Sequence, residues 1–302
     1  MGMKKPLPSC FVIGTQKAGT SSLHSWLSIQ SSLSLPRFKE THFFYDDAKF
    51  NRGFDWYINN FENLEEGRIL VEVDPNYLSS EIAMDRIHDL YSEHDLRPKF
   101  ICILRDRIDR AKSQWIMAIR RGMEERSFSK AFVESFENPN DCSEYNDYFS
   151  RGLYGKHIGN YKSKFQESDF LILGFEDLFS QKQARKKFEE ILNFIGAKDE
   201  MKVPNFSNKM NQSGVPRSKS IAKILRNEKS FIRKFSRVII PSENMRIAIG
   251  MWLRRINHRP RKIDVEYTEI DPRILDAYRE DAAKLFELFP HSRAFFNTDN
   301  EK

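Results

Sequence analysis

The 302-residue sequence lacks any apolar run that approaches the roughly 20 residues needed to cross a bilayer. It also lacks a short hydrophobic segment, of the kind found in a signal peptide, ahead of its first predicted strand. Both absences argue against stable membrane insertion. We therefore expect a soluble, cytoplasmic protein.

Cysteine is scarce, and the three cysteines, Cys10, Cys102 and Cys142, do not have the spacing of metal ligands. Cys10 and Cys102 lie in apolar, strand-like runs, where a buried and reduced thiol is expected. The sequence contains no other convincing cluster of metal ligands. No metal is predicted.

A dense block of basic residues is missing as well, because 49 Lys and Arg are spread along the chain against 43 Asp and Glu. The resulting net charge of +6 suits an enzyme with a polyanionic ligand, whereas a nucleic-acid-binding protein would show a concentrated patch. Hydrophobic residues make up 40% of the chain, which is ample for a sizeable core. Without repeats or linkers, residues 1–302 are predicted to form a single domain.

Four short apolar runs are predicted to be buried parallel strands, because each is rich in Ile, Val, Leu or Phe and is bounded by polar residues. They are Cys10–Ile13, Ile69–Val73, Phe100–Leu104 and Phe170–Leu173. The stretches between them are long enough for crossover helices. This alternation predicts an α/β fold with a central parallel β-sheet flanked by helices.

Helices are predicted in the second half of the chain. Apolar residues at helical spacing occur within 178–195 and end at Gly196, and Asp271 followed by Pro272 is typical of a helix start. The basic segment Ile221–Arg261 is predicted to be an amphipathic helix packed on the domain, with a role at a membrane surface as the alternative. The part 218–302 is therefore expected to be basic, helix-rich and packed on the rest.

The segment Gly14–Ser22 lies between the first predicted strand and a helix. Such a turn directs backbone N–H groups and a helix N-terminus towards one point, which favours a bound anion. Lys17 adds a positive charge, and three hydroxyl side chains at its end add donors. A Walker A motif would place lysine directly after the second glycine, whereas Thr20 follows Gly19 here. The loop is therefore P-loop-like without being a Walker A loop.

A second phosphate site is predicted after the third strand. Arg105 follows this strand and should lie at the carboxyl edge of the sheet, where open α/β sheets bind ligands. If a helix begins near Ile108, Ser113 lies on its early turns and can face the same crevice. A guanidinium and a hydroxyl would then share one phosphate.

Together these segments resemble the sulfotransferases that use 3′-phosphoadenosine 5′-phosphosulfate (PAPS), most closely the bacterial-type and heparan-sulfate-type branch. The family's 5′-phosphosulfate loop, Lys-x-Gly-Thr-[Ser/Thr]-Ser-Leu, is matched by Lys17–Leu23. Its 3′-phosphate motif, Arg-x-Pro-x-x-Arg-x-x-Ser, is matched at Arg105 and Ser113, although Arg107 replaces the usual proline. The resemblance implies that the residues binding PAPS are Lys17, Ala18, Gly19, Thr20, Ser21, Ser22, Arg105 and Ser113.

The segment Pro36–Phe44 brings Lys39, Glu40 and His42 close together. On the residues alone, a solvated Lys–Glu pair is the preferred interpretation. The heparan-sulfate branch, however, has a Glu-x-His-Phe-Phe segment whose glutamate is the catalytic base. The resemblance therefore implies that Glu40 is the base, with His42 as supporting group or alternative base. A histidine has the advantage of an ordinary pKa near neutrality.

Further segments resemble the family's acceptor and nucleotide contacts. Val71–Tyr77 is similar to Glu-x-Thr-Pro-x-Tyr, with Asp74 in place of the usual threonine, and Ser150–Tyr154 matches Ser-Arg-Gly-x-Tyr. The resemblance implies acceptor contacts from Glu40, His42, Asp74, Arg151 and Tyr154. Asn211–Lys219 is similar to a late basic loop that closes over the nucleotide, which implies phosphate contacts from Arg217 and Lys219.

The implied reaction is transfer of a sulfuryl group from PAPS to a hydroxyl or amine of a small-molecule or glycan acceptor, without metal. Lys17 and the loop N–H groups would stabilise the developing charge, and 3′-phosphoadenosine 5′-phosphate (PAP) would be the product. Two alternatives stay open. Ile69–Asp74 is compatible with the Walker B strand of a magnesium-dependent kinase, and the phosphate loops also suit a non-catalytic protein that binds nucleotides or sulfated glycans. The acceptor and the oligomeric state are not determined by the sequence.

Overall fold

A parallel β-sheet organises the computed structural model, which describes residues 6–197, 201–206, 215–216, 258–259 and 269–296 together with Met245 and Ile249. Its strands are β1 (Cys10–Gly14), β2 (Leu33–Ser34), β3 (Ile69–Val73), β4 (Lys99–Leu104) and β5 (Phe170–Gly174). They lie in the order β2-β3-β1-β4-β5, and every neighbouring pair is parallel. The predicted α/β fold is confirmed. Strand β2, two residues long, leaves no periodic pattern in the sequence.

Helices follow most of these strands and account for much of the remaining described chain. They are α1 (Thr20–Ser28), α2 (Asp47–Phe50), α3 (Gly53–Ile58), α4 (Glu81–Ser92), α5 (Arg107–Arg120), α6 (Phe128–Glu137), α7 (Tyr154–Lys162), α8 (Phe175–Leu178), α9 (Ala184–Ile195) and α10 (Pro272–Leu288). None of the helices in the described part of the chain is long and apolar enough to span a membrane.

The ends of α9 and α10 follow local capping chemistry. Gly196 ends α9 in the left-handed region, with φ 91°, which a glycine adopts at no steric cost. Asp271 caps α10 by accepting a hydrogen bond from the Arg273 N–H, and Pro272 occupies the first helical position. The predicted ends of both helices are therefore confirmed. The predicted run over 178–195 is divided, because α8 ends at Leu178 before α9 begins at Ala184.

Alternation along the strands sends side chains to two separate apolar clusters, one on each face of the sheet. On β1, Phe11 and Ile13 belong to one cluster, while Cys10 and Val12 belong to the other. The first cluster is completed by side chains of α3, α4, α7 and α10, and the second by those of α1 and α9. The sheet is thus covered by helices on both faces, as parallel sheets require.

By its internal contacts the chain divides into two compact units. The first comprises Met1–Arg110, Ser150–Met210 and Asp271–Lys302, and the second comprises Ala111–Phe149 and Asn211–Ile270. In the second unit, β6 (Val215–Pro216) and β7 (His258–Arg259) form an antiparallel pair. The helix predicted within Ile221–Arg261 lies outside the described residues, apart from Met245, Ile249 and β7. A single sulfotransferase domain over 1–302 stays a prediction.

Arg107, which replaces the family's usual proline, is buried in the first unit and connects three helices. Its Nε donates to the Gly152 carbonyl at 3.1 Å, and its Nη2 donates to Asp281 Oδ2 on α10 at 3.3 Å. Asp281 also accepts the N–H groups of Gly155 and Lys156, so it caps the start of α7 from a distant part of the chain. One buried ion pair therefore fixes the starts of α5 and α7 on α10.

We expect Asp281→Ala to lower the free energy of unfolding by about 3–5 kcal/mol, because it leaves the buried Arg107 charge without its carboxylate partner. The matched control is Asp276→Ala on the same helix, whose carboxylate forms an exposed pair with Arg279 and should matter by less than about 1 kcal/mol. Urea unfolding of both variants measures the difference. If both variants lowered the free energy of unfolding equally, the buried Arg107–Asp281 pair would stabilise the fold no more than an exposed pair does.

Candidate active site

Three chain segments that follow β1, β3 and β4 meet at the carboxyl edge of the sheet. β1 pairs with β3 on one side and with β4 on the other, so the connections leave this edge in different directions. A crevice at such a reversal is the usual ligand site of an open α/β sheet. The predicted phosphate loop and Arg105 both lie at this edge.

The loop between β1 and α1 has a backbone suited to an anion. Gly19 is the N-cap of α1, with φ 80°, and its lack of a side chain means that no side chain caps the helix. A Cβ at Gly19 would lie 2.2 Å from Phe179 Cε2, so both the conformation and the space favour glycine. Uncapped N–H groups at a helix N-terminus attract anions.

Polar side-chain atoms of the same loop are buried without a partner among the described residues. These atoms are the Thr15 hydroxyl and Gln16 Oε1, while Gln16 Nε2 donates to Asn76 Oδ1 at 3.4 Å. Buried polar atoms are normally hydrogen-bonded, so such orphans indicate a polar ligand or water in the complete protein. The Thr15 hydroxyl can donate to an anion, whereas Gln16 Oε1 is only an acceptor and requires a donor such as water.

Arg105 lies against the phosphate loop, as expected from its place after β4. Its Nη1 donates to the Lys17 carbonyl at 3.1 Å, its guanidinium carbon lies 4.7 Å from the centre of the Phe175 ring, and its buried Nε has no partner in the described chain. The Tyr154 hydroxyl donates to the Arg105 carbonyl at 2.8 Å. The two predicted phosphate-binding segments are thus brought together by side-chain contacts.

Four of the predicted ligand contacts are not brought to this edge as acceptor or phosphate contacts by the described structure. Ser113 lies on α5 in the second unit, and its sharing of a phosphate with Arg105 stays a prediction. Arg217 and Lys219 lie outside the described residues. Tyr154 is fully buried, so in this conformation it supports Arg105 instead of presenting a surface to an acceptor.

The segment from Glu40 to His42 has an unusual backbone. Glu40 has φ 65° and His42 has φ 59°, and left-handed conformations of non-glycine residues cost about 1–2 kcal/mol each. The Thr41 hydroxyl between them hydrogen-bonds to Glu72 and accepts the Phe43 N–H at 3.2 Å. These contacts hold a strained loop in place, which is common at functional sites.

Asp74 is the partner of His42. Its side chain is fully buried, and its Oδ2 accepts both the His42 Nδ1–H at 2.8 Å and the His42 backbone N–H at 2.9 Å. Burial by itself would lower the pKa of His42, but the hydrogen bond and charge of Asp74 outweigh it and hold that pKa above its usual 6.5. The predicted acceptor contacts His42 and Asp74 are therefore one hydrogen-bonded pair.

Glu40 has a different partner. Its carboxylate contacts the ammonium of Lys39, and its side chain is 35% exposed. Lys49 donates from Nζ to the Thr41 carbonyl at 2.8 Å. The predicted Lys39–Glu40 pair exists, and it lies beside the His42–Asp74 pair.

Arg151 joins the network from the Ser150–Tyr154 segment. Its Nη1 donates to Asn76 Oδ1 at 2.8 Å, and the Asn76 backbone N–H donates to Asp74 Oδ1 at 3.1 Å. Because Gln16 of the phosphate loop also donates to Asn76, hydrogen bonds connect the loop to His42 through Asn76 and Asp74. Asn76 is a site residue that sequence reasoning did not single out.

Glu72 is a second residue missed from the sequence. It is fully buried on β3 and accepts hydrogen bonds from the Thr41, Tyr57 and Tyr77 hydroxyls. Burial raises the pKa of Glu72 to about 7 and the charge of Asp74 adds to this, while the three hydrogen bonds oppose the rise. Its signal in the sequence is the spacing of Glu72 and Asp74, which places two acids on one face of a buried strand.

Within the described residues, no group of three or more His, Cys, Asp or Glu side chains could hold a metal ion. Cys10 and Cys102 are buried free thiols, and burial raises the pKa of both well above its usual value.

Comparisons with known proteins identify the family of this chain. The family pattern described as "Sulfotransferase domain" matches residues 7–237, so the chain belongs to the sulfotransferase family. The solved structure "Crystal Structure of Sulfotransferase from Alicyclobacillus acidocaldarius" is 25% identical, with a TM-score of 0.58 over 68% of this chain and 87% of that one.

The curated relatives that the chain matches include heparan sulfate sulfotransferases. Heparan sulfate glucosamine 3-O-sulfotransferase 6 of Mus musculus is 26% identical over 195 residues, 65% of this chain and 54% of that protein. Heparan sulfate glucosamine 3-O-sulfotransferase 3A1 of Mus musculus is 27% identical over 195 residues, 64% of this chain and 47% of that protein. The matched part of this chain spans about half the length of these relatives.

The raised pKa of Glu72 predicts a pH-dependent stability. A carboxyl whose pKa rises on folding stabilises the fold most below its unfolded pKa of about 4.5, and this contribution is lost as the pH rises through about 7. Glu72→Gln cannot ionise, so its melting temperature should fall less between pH 5 and pH 8 than that of the wild type.

The control for this experiment is Glu124→Gln. Glu124 is also buried, but hydrogen bonds from Arg126 and Tyr148 hold its pKa below the usual value despite burial. Its contribution is therefore constant above about pH 5 and is lost only at lower pH. Glu124→Gln should have a lower melting temperature than the wild type, but its melting temperature should change between pH 5 and pH 8 as that of the wild type does. If the melting temperature of Glu72→Gln fell between pH 5 and pH 8 as much as that of the wild type, Glu72 would not titrate between these pH values.

Proposed function

We propose that this chain transfers a sulfuryl group from PAPS to a hydroxyl or amine of an acceptor, with in-line geometry and without a metal. The observation that supports the proposal is the hydrogen bond from Arg105 to the Lys17 carbonyl, which holds a guanidinium against the loop that leads into the N-terminus of α1. A donor with phosphates at both its 5′ and 3′ ends suits such a pair of sites. PAPS, when bound, would supply the activated sulfuryl group and a phosphate leaving group.

On the donor side, the chain supplies charge and fixed dipoles. The first-turn N–H groups of α1, the hydroxyls of residues 20–22 and the Lys17 ammonium would hold the 5′-phosphosulfate and stabilise charge that develops during transfer. Arg105, joined by Ser113 from α5 and by Arg217 and Lys219, would hold the 3′-phosphate. Because the Tyr154 hydroxyl contacts the Arg105 carbonyl, Tyr154 would position this arginine.

On the acceptor side, the base would come from the Glu40–His42 segment, with Asp74 and Arg151 nearby in the same hydrogen-bonded network. The names of the curated relatives make hydroxyls of glucosamine-containing glycans one acceptor class to test, and small hydroxylated molecules are the other. Labelled PAPS tested against a panel of both classes identifies the acceptor.

The magnesium-dependent kinase is disfavoured by two observations. Lys17 does not directly follow Gly19, as a Walker A lysine would. Asp74, the residue that would hold magnesium, accepts three hydrogen bonds from His42 and Asn76. A non-catalytic binding protein would need neither of the two potential bases, Glu40 and His42.

Calorimetry tests the donor. We expect PAP to bind without magnesium, and we expect Arg105→Ala to weaken PAP about 10–100-fold by removing contacts to a charged group worth about 1.5–3 kcal/mol. The same variant should bind adenosine 5′-phosphate, which lacks the 3′-phosphate, almost as well as the wild type does. Arg97→Ala is the matched control, since Arg97 is exposed and precedes β4 where Arg105 follows it. A preference for magnesium-ATP over PAP would refute the proposal.

Replacing Lys17 tests the catalytic role of the loop. Lys17→Ala should lower the rate of sulfuryl transfer by about 10²–10³-fold, because it removes a charge that stabilises the transition state. The rate is followed as ³⁵S transferred from labelled PAPS. Lys182→Ala, which removes an exposed lysine outside the site, should keep the wild-type rate. Full activity in Lys17→Ala would remove Lys17 from the mechanism.

A further inference from the structure

The contacts of His42 show which of its ring nitrogens carries the proton. Nδ1 lies 2.8 Å from Asp74 Oδ2, and the carboxylate of Asp74 has no solvent exposure. An ionised carboxylate only accepts hydrogen bonds, so Nδ1 must be the donor. In the neutral ring Nε2 then carries the lone pair, which is the form that a general base needs.

The same contacts fix the orientation of the ring. The His42 backbone N–H and Nδ1–H both donate to Asp74 Oδ2, and the Tyr45 ring centre lies 5.0 Å from that of the His42 ring. The side chain of His42 is nevertheless 25% exposed. His42 is therefore held on one side by a buried acid and remains accessible from outside.

Glu40 is less suited to the same task. The ammonium of Lys39 contacts its carboxylate, so one of its oxygens is already engaged by a cation. Its side chain is also partly solvated, at 35% exposure. A carboxylate works as a base near neutrality when burial raises its proton affinity, and Glu40 is neither buried nor separated from a cation.

We propose that His42, oriented by Asp74, is the general base of this chain, and that Asp74 is its positioning residue. The inference rests on the sulfotransferase function proposed above and assigns the base differently from the Glu-based segment that the chain resembles. Asp74 stands where that family has threonine, which has no negative charge to stabilise an imidazolium.

The step is a proton transfer coupled to sulfuryl transfer. The acceptor oxygen or nitrogen forms a bond to sulfur while its proton passes to His42 Nε2. The bond between sulfur and the bridging phosphate oxygen breaks, and its electron pair leaves with PAP. The imidazolium, stabilised by Asp74, afterwards releases the proton to solvent.

The charges around His42 give the reaction a defined pH dependence. Asp74 at the end of β3 and Glu40 on the same segment raise the pKa of His42, while burial and Lys49 on α2 lower it, with a net rise. A base must be neutral, so the rate should increase as the pH rises through this raised pKa. In Asp74→Asn the increase in rate should occur at lower pH. The rate reached at high pH should also be lower than in the wild type, because an amide no longer secures the Nδ1–H form of His42.

The first experiment needs no acceptor. Nuclear magnetic resonance of the full chain, with ¹⁵N-labelled histidine and bound PAP, reports the tautomer and pKa of His42, whose signals are those lost in His42→Gln. We expect the Nδ1–H form above the pKa, and a lower pKa in Asp74→Asn. Asp47→Asn is the control, since it removes an equal charge from an exposed carboxylate that pairs with Arg86. An Nε2–H tautomer, or an unchanged pKa in Asp74→Asn, would overturn the proposal.

The second experiment compares the two potential bases. Water serves as the acceptor, and the rate is the release of ³⁵S-sulfate from labelled PAPS. His42→Gln should lower this rate about 10²–10⁴-fold while PAP affinity stays within about twofold, and it should abolish the increase with pH. Glu40→Gln should lose less than about tenfold and keep that increase. The reverse pattern would assign the base to Glu40.

PAP binding separates this inference from the proposed function. A wild-type chain that binds no PAP would refute the donor, and the base assignment with it. Normal PAP binding together with the wrong tautomer or the reverse kinetic pattern would refute the base assignment alone. Melting temperatures and PAP affinities of all variants confirm that each is folded.

Discussion

The buried carboxylate of Asp74 is the constraint on which the site depends. A charged group without solvent must be satisfied by hydrogen bonds, and Asp74 accepts three from two residues on different segments. One of these residues, Asn76, also accepts from Gln16 and Arg151. Satisfying one acid at the end of β3 therefore connects the phosphate loop, the His42 segment and the Ser150–Tyr154 segment.

Glu72 on β3 is a second buried acid, and it stabilises the same segment. Glu72 contacts the Thr41 hydroxyl between two residues in left-handed conformations, so it helps to compensate the backbone strain of the segment that holds the potential bases. The two acids lie two residues apart, and the charge of Asp74 contributes to the raised pKa of Glu72. The contacts of Glu72 and Asp74 therefore both hold the strained segment in place and set the charges around the potential bases.

The pair formed by Arg107 and Asp281 holds a different part of the first unit. It fixes the start of α7, from which the Tyr154 hydroxyl reaches the Arg105 carbonyl. The departure from the family's proline is thereby explained, because a buried arginine at this position makes contacts that a proline could not. Residues far from the ligand edge help to determine where Arg105 lies.

Much of the framework could be predicted because its causes are local. Apolar runs bounded by polar residues predicted β1, β3, β4 and β5, and the glycine-bounded loop and Arg105 were expected at the carboxyl edge because parallel strands end there. The roles of Glu72 and Arg107 could not be predicted, since an acid in a strand and an arginine before a helix are usually solvated. Their burial depends on partners up to 174 residues away in the chain.

The sequence by itself determined the fold class and the family, and it supplied the motifs on which the proposed donor site rests, because these follow from periodicity and from contiguous motifs. It left Glu40 and His42 as alternative bases, since both lie in one short segment. Only the tertiary structure paired Glu40 with Lys39 and His42 with Asp74, 32 residues further along the chain. The physical reason is that proton affinity depends on burial and neighbouring charge, which are properties of the folded chain.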